Sequence, residues 1–388
     1  MGAAIPLGAA WTSPFAKWGG ALAEVSSLQL AAAVTTAALD TRGLDRDELD
    51  SLVLGWTIPQ PDIFYGAPGL AAAIGASGIA GPMVSQACAT SVLALRTAAR
   101  EVESGGAATT LVVLTDRTSN GPLLVYPQPG ASGGAPATEH WVLDSFARDP
   151  HTGESMLATA DAVAREEGIE RAALDDLAAL RYAQYADRPM DLDHIVPAVI
   201  ERRRSTIKLT EDEGVQHSTR ESLGQLRPAA PEGSHSFGSQ THPADGAAGA
   251  IVTSPARARE LSRNQGIVEL LGFGEARVEA ARMPKAPVPA ANRALAAAGV
   301  TISDVDLVAT HNPFAVNDVY FATQTGFPLD RMNVFGCSLV FGHPQAPTGM
   351  RSIVELISAL QRRGGGIGLF TGCAAGDVGS AVVIKVSD

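Results

Sequence analysis

Apolar and polar positions along this chain change their spacing in one order, and they do so twice. An alanine-rich, helix-compatible stretch at 29–39 leads through a turn into the apolar run that ends GLDRDELDSLVLG at 43–55, which reads as a strand. The stretch 289–298 leads in the same way into GVTISDVDLVATH at 299–311. A second pair follows the first. Residues 88–106, CATSVLALRTAAREVESGG, carry apolar residues at helical spacing and stop at Gly105-Gly106; residues 346–366, APTGMRSIVELISALQRRGGG, do likewise. Each predicted helix feeds a predicted strand, ATTLVVLT at 108–115 and GIGLFTG at 366–372.

A helix–strand–helix–strand order repeated at long interval predicts an α/β protein of two similar halves, residues 1–258 and 259–388. Halves of one design, packed about a pseudo-twofold axis, bring equivalent loops face to face. The starts of the 88–104 and 347–362 helices should therefore meet, and Cys88 and His343 stand at those starts. Between the halves the pattern is different. Residues 117–150 are rich in Gly, Pro and Ser and read as an extended loop, 153–187 have helical periodicity, and 205–242 are polar with Gly and Pro interspersed. The segment of about 117–240 is thus expected to be an insertion in the first half, of the kind that covers an active site.

Composition narrows the class. The 388 residues are 46% hydrophobic and 18% charged, enough to bury a large core. A formal net charge of −12 argues against nucleic acid or an anionic membrane as partner. The densest basic run, Arg202, Arg203, Arg204 and Lys208, reads as a solvated helix end or as a contact for a cofactor phosphate. Three widely spaced cysteines, 88, 337 and 373, make neither a disulfide framework nor a metal knuckle, and the N-terminus shows no leader pattern, so a cytoplasmic location is expected. The most apolar region, 67–99, is broken by Pro68, Pro82, Ser85 and Gln86 and does not read as a membrane span.

Four residues carry candidate chemistry. Cys88, in VSQACATSV, precedes an amphipathic helix whose dipole should favour the thiolate; the plain alternative is a small buried hydrophobe. His343 sits in the turn FGHPQAPTG, where it is either a base for a thiol or an ordinary surface histidine. Cys373 follows the last predicted strand in FTGCAAGDVGSA, where glycines permit N–H groups to converge. His311 ends the strand DLVAT, a usual place for chemistry in α/β folds. The other histidines lack ligand spacing, so no metal is expected, and no phosphate-binding glycine loop is present.

In order along nearly the whole chain, these segments resemble the thiolase family. QACATSVLALRTAAREVESG is similar to its reactive-cysteine helix, SMLATADAVAREEGIERAALDDLAALRYAQYA and DEGVQHSTRESLGQLRP to its loop domain, and THPADGAAGAIV to its Asp-Gly-Ala strand entry. HNPFA, GHPQAPTGMR and GCAAGDVGSA fall where three C-terminal motifs belong. The resemblance implies a five-layered αβαβα fold and an acyl-CoA C-acyltransferase, acting by ping-pong condensation or thiolysis of 3-oxoacyl-CoA. It implies Cys88 as the acylated nucleophile, His343 as its proton acceptor and Cys373 as the acid/base. Backbone N–H groups of Cys88, Ala375 and Gly376 would hold the oxyanion, and Met156, Thr241 and Phe314 would contact substrate. The substrates would be coenzyme A thioesters with no bound cofactor, and the chain a homodimer or homotetramer.

The motifs depart from the common pattern at several positions. His311-Asn312-Pro313-Phe314 stands in place of Asn-Glu-Ala-Phe, and a histidine there looks like the sterol-carrier-type branch, some members of which work with a small acyl-CoA-binding partner protein. Ser155 replaces a histidine before Met156, Ala374-Ala375 replace two glycines, and Pro347 replaces a small residue. The alternatives are a ketoacyl- or hydroxymethylglutaryl-type synthase on the same fold, which would not need Cys373, and a partner-dependent or non-catalytic thiolase-like subunit.

Overall fold

The computed structural model describes residues 2–387. Its first half opens with the helix Ser27–Arg42, started by a reciprocal Ser26–Gln29 capping box and ended by Gly43 in the left-handed conformation. The strand Ser51–Gly55 follows, then the helix Thr90–Ser104 and the strand Thr109–Arg117. The second half repeats the order: helix Pro287–Ala298 ended by Gly299, strand Leu307–His311, helix Ala346–Arg362, strand Gly366–Ala374. All four predicted helices and strands of each pair are present, each within a few residues of its expected bounds.

In each half the two repeated strands pair in parallel, Ser51–Gly55 with Thr109–Arg117 and Leu307–His311 with Gly366–Ala374. Each second strand then takes an antiparallel neighbour, Ala244–Thr253 in the first half and Val378–Ser387 in the second, and Ile267–Arg277 pairs with the latter. The two sheets join at the N-terminal strand Ala4–Pro6, which pairs with Ile267–Arg277 along its length and touches Ala244–Thr253 at Ala4. The chain then bends, and Ala10–Thr12 continues against Ala244–Thr253.

Helices complete five layers. Ser27–Arg42 covers the outer face of the first sheet and Pro287–Ala298 that of the second, while Thr90–Ser104 and Ala346–Arg362 lie together between them. Apolar residues of both inner helices and both sheets form one buried cluster, among them Leu95, Val112, Ile353, Leu360 and Phe370. Ala346–Arg362 is buried at nearly every position from Ala346 to Leu360, as expected of a helix with protein on all sides.

Where the inner helices begin, they approach closely. Ser91 Oγ donates to the carbonyl of Ala346 at 2.6 Å and accepts from the N–H of Met350 at 2.7 Å. A Cβ on Gly349 would lie 2.9 Å from that of Ser91 and 3.0 Å from the Phe370 ring.

The segment between the halves is more ordered than its composition suggests. Residues 117–150 contain a hairpin, Leu123–Tyr126 with Ala137–His140, and a short helix, Leu143–Ala147. The periodic part forms the helices Met156–Glu166 and Arg171–Ala186. The basic run is not a helix end: Arg202, Arg203 and Arg204 lie in the turn of the hairpin Ala198–Glu201 with Thr206–Leu209, where Arg202 meets Glu24, and Lys208 lies in its second strand. Strand pairing on either side fixes that turn, a signal that local charge density does not carry.

Two buried ion pairs tie this segment to the second half. Arg181 meets Asp318 at 2.8 Å, and Arg351 meets Asp212 at 2.6 Å, with all four side chains nearly inaccessible. Among the described residues no helix is long and apolar enough to cross a membrane. Because Gly349 has no room for a side chain, Gly349→Val should lower stability by about 1–3 kcal/mol, the usual cost of overpacking. An unchanged urea-unfolding midpoint would contradict the close approach.

Candidate active site

Cys88 and His343 reach each other because both helix entries are bent. Ala87 has φ 46°, a left-handed turn that presents Cys88 just ahead of the helix Thr90–Ser104. On the other side Gly342 has φ 90°, and a Cβ there would lie 2.7 Å from the His242 ring, so glycine is required. The sulfur of Cys88 lies 3.1 Å from His343 Nε2 and 3.2 Å from Gln345 Oε1. His343 Nδ1 is 2.6 Å from Thr348 Oγ1. The tautomer in which Nδ1–H donates to Thr348 leaves a bare Nε2 facing the thiol.

His311 and Cys373 arrive on neighbouring parallel strands, with His311 paired opposite Gly372. The His311 and His343 rings stack, with centroids 4.1 Å apart. Ser338 Oγ donates to Asn312 Oδ1 at 3.1 Å, so across its 3.2 Å contact with His311 it accepts the Nδ1 proton. The neutral ring then turns a bare, buried and unpartnered Nε2 to the site. Asn317 Nδ2 donates to the Cys373 sulfur at 3.3 Å. The donor atoms of Cys88, His311 and His343 lie within 4.8 Å of one another.

Burial sets the protonation states. It pushes the Cys88 thiol up to about 12, outweighing the N–H groups of Ala375 and Cys88 itself, which favour the thiolate. The expected dipole-stabilised thiolate is therefore overturned: the helix begins two residues later, and in a dry site desolvation is the larger effect. Cys373 is raised well above the ordinary thiol value by burial and by the nearby Cys88 sulfur. Burial lowers His311 to about 3 and, together with His311, lowers His343 well below the usual imidazole value, against a smaller opposing effect of Gln345. The resting site is thus two neutral thiols beside two neutral imidazoles.

A cavity of about 200 Å³ opens onto Cys88 and His343, and its wall includes Met156, Thr241, Phe314 and Ala375, whereas the buried Cys373 and His311 are not on that wall. All three expected substrate contacts thus share one space with the two helix-start residues. A second cavity of about 950 Å³ adjoins it, the two sharing Phe146, Met156 and Ala375, with Gly376 and Gln345 on its wall. Gly376 is brought to the rim, where its carbonyl accepts from Arg277 Nε at 3.1 Å.

Several residues of the site escape the sequence reading. Thr348 and Gln345 lie within GHPQAPTG, and their spacing from His343 was the available signal. Ser338, Asn317 and Asp116 stand alone in sequence. Asp116, at the end of a first-half strand, accepts from the N–H groups of Thr57 (2.9 Å), Ile58 (3.0 Å) and Ala346 (2.9 Å), gripping the start of the second-half helix. Burial raises it to about 7 even so.

The thiol state has a measurable consequence. With its pKa near 12, the thiolate fraction of Cys88 grows with every unit of pH below that value. Alkylation of Cys88 by iodoacetamide, followed by peptide mass spectrometry, should rise about tenfold per pH unit from pH 6 to 10. A plateau below pH 8 would mean a preformed thiolate and contradict this reading.

Known proteins are similar to this chain along nearly its whole length. The family models described as "Thiolase, N-terminal domain" and "Thiolase, C-terminal domain" match residues 7–256 and 265–386. The chain is 29% identical to an acetyl-CoA acetyltransferase of Escherichia coli (strain K12), over 95% of each chain. Its fold is similar to the crystal structure of the Bacillus anthracis acetyl-CoA acetyltransferase, at TM-score 0.92 and 26% identity, covering 99% of this chain and 98% of that one. It is similar also to human mitochondrial 3-ketoacyl-CoA thiolase solved in complex with CoA, at TM-score 0.89 and 25% identity, covering 100% and 98%. The repeated halves, the cysteine and histidine brought together from them, and these matches make one conclusion: the chain belongs to the thiolase family.

Proposed function

We propose that this chain is an acyl-CoA C-acyltransferase that forms or cleaves 3-oxoacyl-CoA through an acyl-Cys88 intermediate. The observation that carries the reading is the 3.1 Å contact between Cys88 Sγ and His343 Nε2, with the N–H groups of Cys88 and Ala375 turned to the same sulfur.

The steps follow from the protonation states. As the Cys88 sulfur attacks a thioester carbonyl, its proton passes to the bare Nε2 of His343. Charge thus develops only when the substrate is in place. The N–H groups of Cys88 and Ala375, with Gly376 beside them, hold the carbonyl oxygen as it becomes negative; such donors contribute about 3–4 kcal/mol each. Coenzyme A leaves with a proton, and the acyl group stays on Cys88.

In condensation, the Cys373 proton passes to His343 Nε2, and the resulting Cys373 thiolate removes the α-proton of a second acyl-CoA. Its raised pKa makes that thiolate a strong base, which a weakly acidic carbon requires. The enolate oxygen meets His343 Nε2–H. Neutral His311 has only a lone pair to offer at Nε2, so it acts through a water that donates to both. The enolate carbon attacks acyl-Cys88, the carbon–carbon bond forms, the bond from that carbonyl carbon to Cys88 Sγ breaks, and the sulfur takes back the Nε2 proton of His343; thiolysis runs the same path backwards. The position of Cys373 beside this group favours the reading over a synthase that has no need of a second cysteine.

The proposal extends to organisation and setting. The chain divides at 258/259 into two halves, with the insertion of about 117–240 in the first, and it works as a homodimer or homotetramer. Its three free cysteines accord with a cytoplasmic place in lipid metabolism. The sterol-carrier-like His311 accords with help from a small acyl-CoA-binding partner protein.

Intact-protein mass spectrometry after incubation with acetyl-CoA tests the scheme. One acetyl group should appear on Cys88, and none in Cys88→Ala, whose turnover should fall by about 10⁴-fold or more. Cys373→Ala should still be acetylated yet fail to exchange α-hydrogens of acetyl-CoA with deuterated water. Retained turnover in Cys88→Ala would end the proposal. His311→Ala should lower kcat by about 10²–10³-fold, the cost of one oxyanion contact, and a smaller change would remove His311 from the scheme.

A further inference from the structure

The mechanism leaves one group beside the nucleophile unused. Gln345 is only 5% exposed, its Oε1 lies 3.2 Å from the Cys88 sulfur, and its Nε2 is buried without a partner. Its direction is held from both sides. The backbone of Gln345 is at φ 69° and ψ −105°, a conformation that a non-glycine residue keeps only under constraint. The next N–H, of Ala346, is fixed at 2.9 Å on the carboxylate of Asp116. So constrained, the amide lies against the sulfur and on the wall of the 950 Å³ cavity.

We propose that Gln345 is a specificity-determining residue, selecting acyl groups that carry a hydroxyl at C2 or C3. The inference rests on the acyl-Cys88 reading and adds to it the class of acyl group. In the resting site the Cys88 hydrogen turns to either of two acceptors, His343 Nε2 or Gln345 Oε1, and it is the donor within reach of Oε1. Acylation removes that hydrogen: a bond forms between Sγ and the acyl carbon, the bond from that carbon to the coenzyme A sulfur breaks, and the thiol proton leaves on coenzyme A. The amide then has neither a donor for Oε1 nor an acceptor for Nε2–H.

A hydrocarbon acyl chain leaves both groups unpaired in a buried place, which is costly. The thioester oxygen cannot relieve them, because it is turned to the N–H groups of Cys88 and Ala375. A hydroxyl one or two carbons beyond the carbonyl can, since it both donates and accepts and so satisfies the amide in either orientation of its end. The rest of such an acyl group has apolar wall to lie on, from Ile58, Ala87, Trp141, Val142 and Phe146. A site that hydrogen-bonds a substrate hydroxyl discriminates strongly against the analogue without one, because its own groups are then stranded.

The test compares the rates of acyl-Cys88 formation from butanoyl-CoA, 2-hydroxybutanoyl-CoA and 3-hydroxybutanoyl-CoA, read by intact mass spectrometry. One hydroxylated donor should acylate the parent chain about tenfold faster than butanoyl-CoA, or more. In Gln345→Met that ratio should fall to within about twofold of unity, and Gln345→Leu serves the same comparison should the first variant fold poorly. Taking ratios within each variant cancels any general loss of rate. A parent chain that does not prefer either hydroxylated donor overturns the proposal, as does a preference that survives both substitutions. Absence of any adduct on Cys88 is a separate outcome: it overturns the acyl-enzyme reading itself and the selection with it.

Discussion

The site depends on one close crossing. The helices Thr90–Ser104 and Ala346–Arg362 come from different halves, and they meet at their starts through Ser91, which bonds to both Ala346 and Met350 across a gap that only Gly349 permits. That contact lets a cysteine and a histidine 255 residues apart share a hydrogen bond. Asp116 adds a second inter-half clasp on the same Ala346, gathering the Thr57–Ile58 loop and the N–H of Ala346 on one carboxylate. Packing brings the helices together; these bonds set the register, so that sulfur and imidazole meet instead of passing each other.

Enclosure by five layers has an electrostatic consequence. A thiol, a histidine or a carboxylate at this depth holds its charge only at high cost, and Cys88, Cys373, His311 and His343 all shift toward neutrality. A site at rest without charge suits chemistry in which charge appears only on attack and is met by fixed N–H groups. The two buried ion pairs obey the same physics with the other outcome. Arg351 keeps its charge because Asp212 and Glu355 lie against it, and Arg181 is matched by Asp318. These pairs clamp the insertion onto the second half, so that Met156 and Phe314 can close one cavity.

The repeat was legible because its cause is periodic. Helical and strand spacing, with Gly43, Gly105 and Gly299 ending helices, is written locally and survives in a single sequence. Cys88 and His343 could be paired before any coordinates because duplication predicts which loops meet, and Cys373 and His311 were joined to them through the family resemblance of their motifs. The hairpin Leu123–Tyr126 with Ala137–His140 was hidden by a connection rich in Gly and Pro, and its pairing becomes visible only in three dimensions. The state of Cys88 was misread for a related reason: the dipole is a local property, whereas the depth of burial depends on the whole fold. Gln345, Asp116 and Ser338 act through partners distant in sequence, and nothing near them in the chain announces it.

A crystal structure of the chain after reaction with an acyl-CoA would test the central claim most directly. The account predicts a single acyl group on Cys88 Sγ, with its carbonyl oxygen about 3 Å from the N–H groups of Cys88 and Ala375 and with His343 still facing the sulfur. An acyl group bound elsewhere, or Cys88 and His343 separated in the acylated chain, would contradict it.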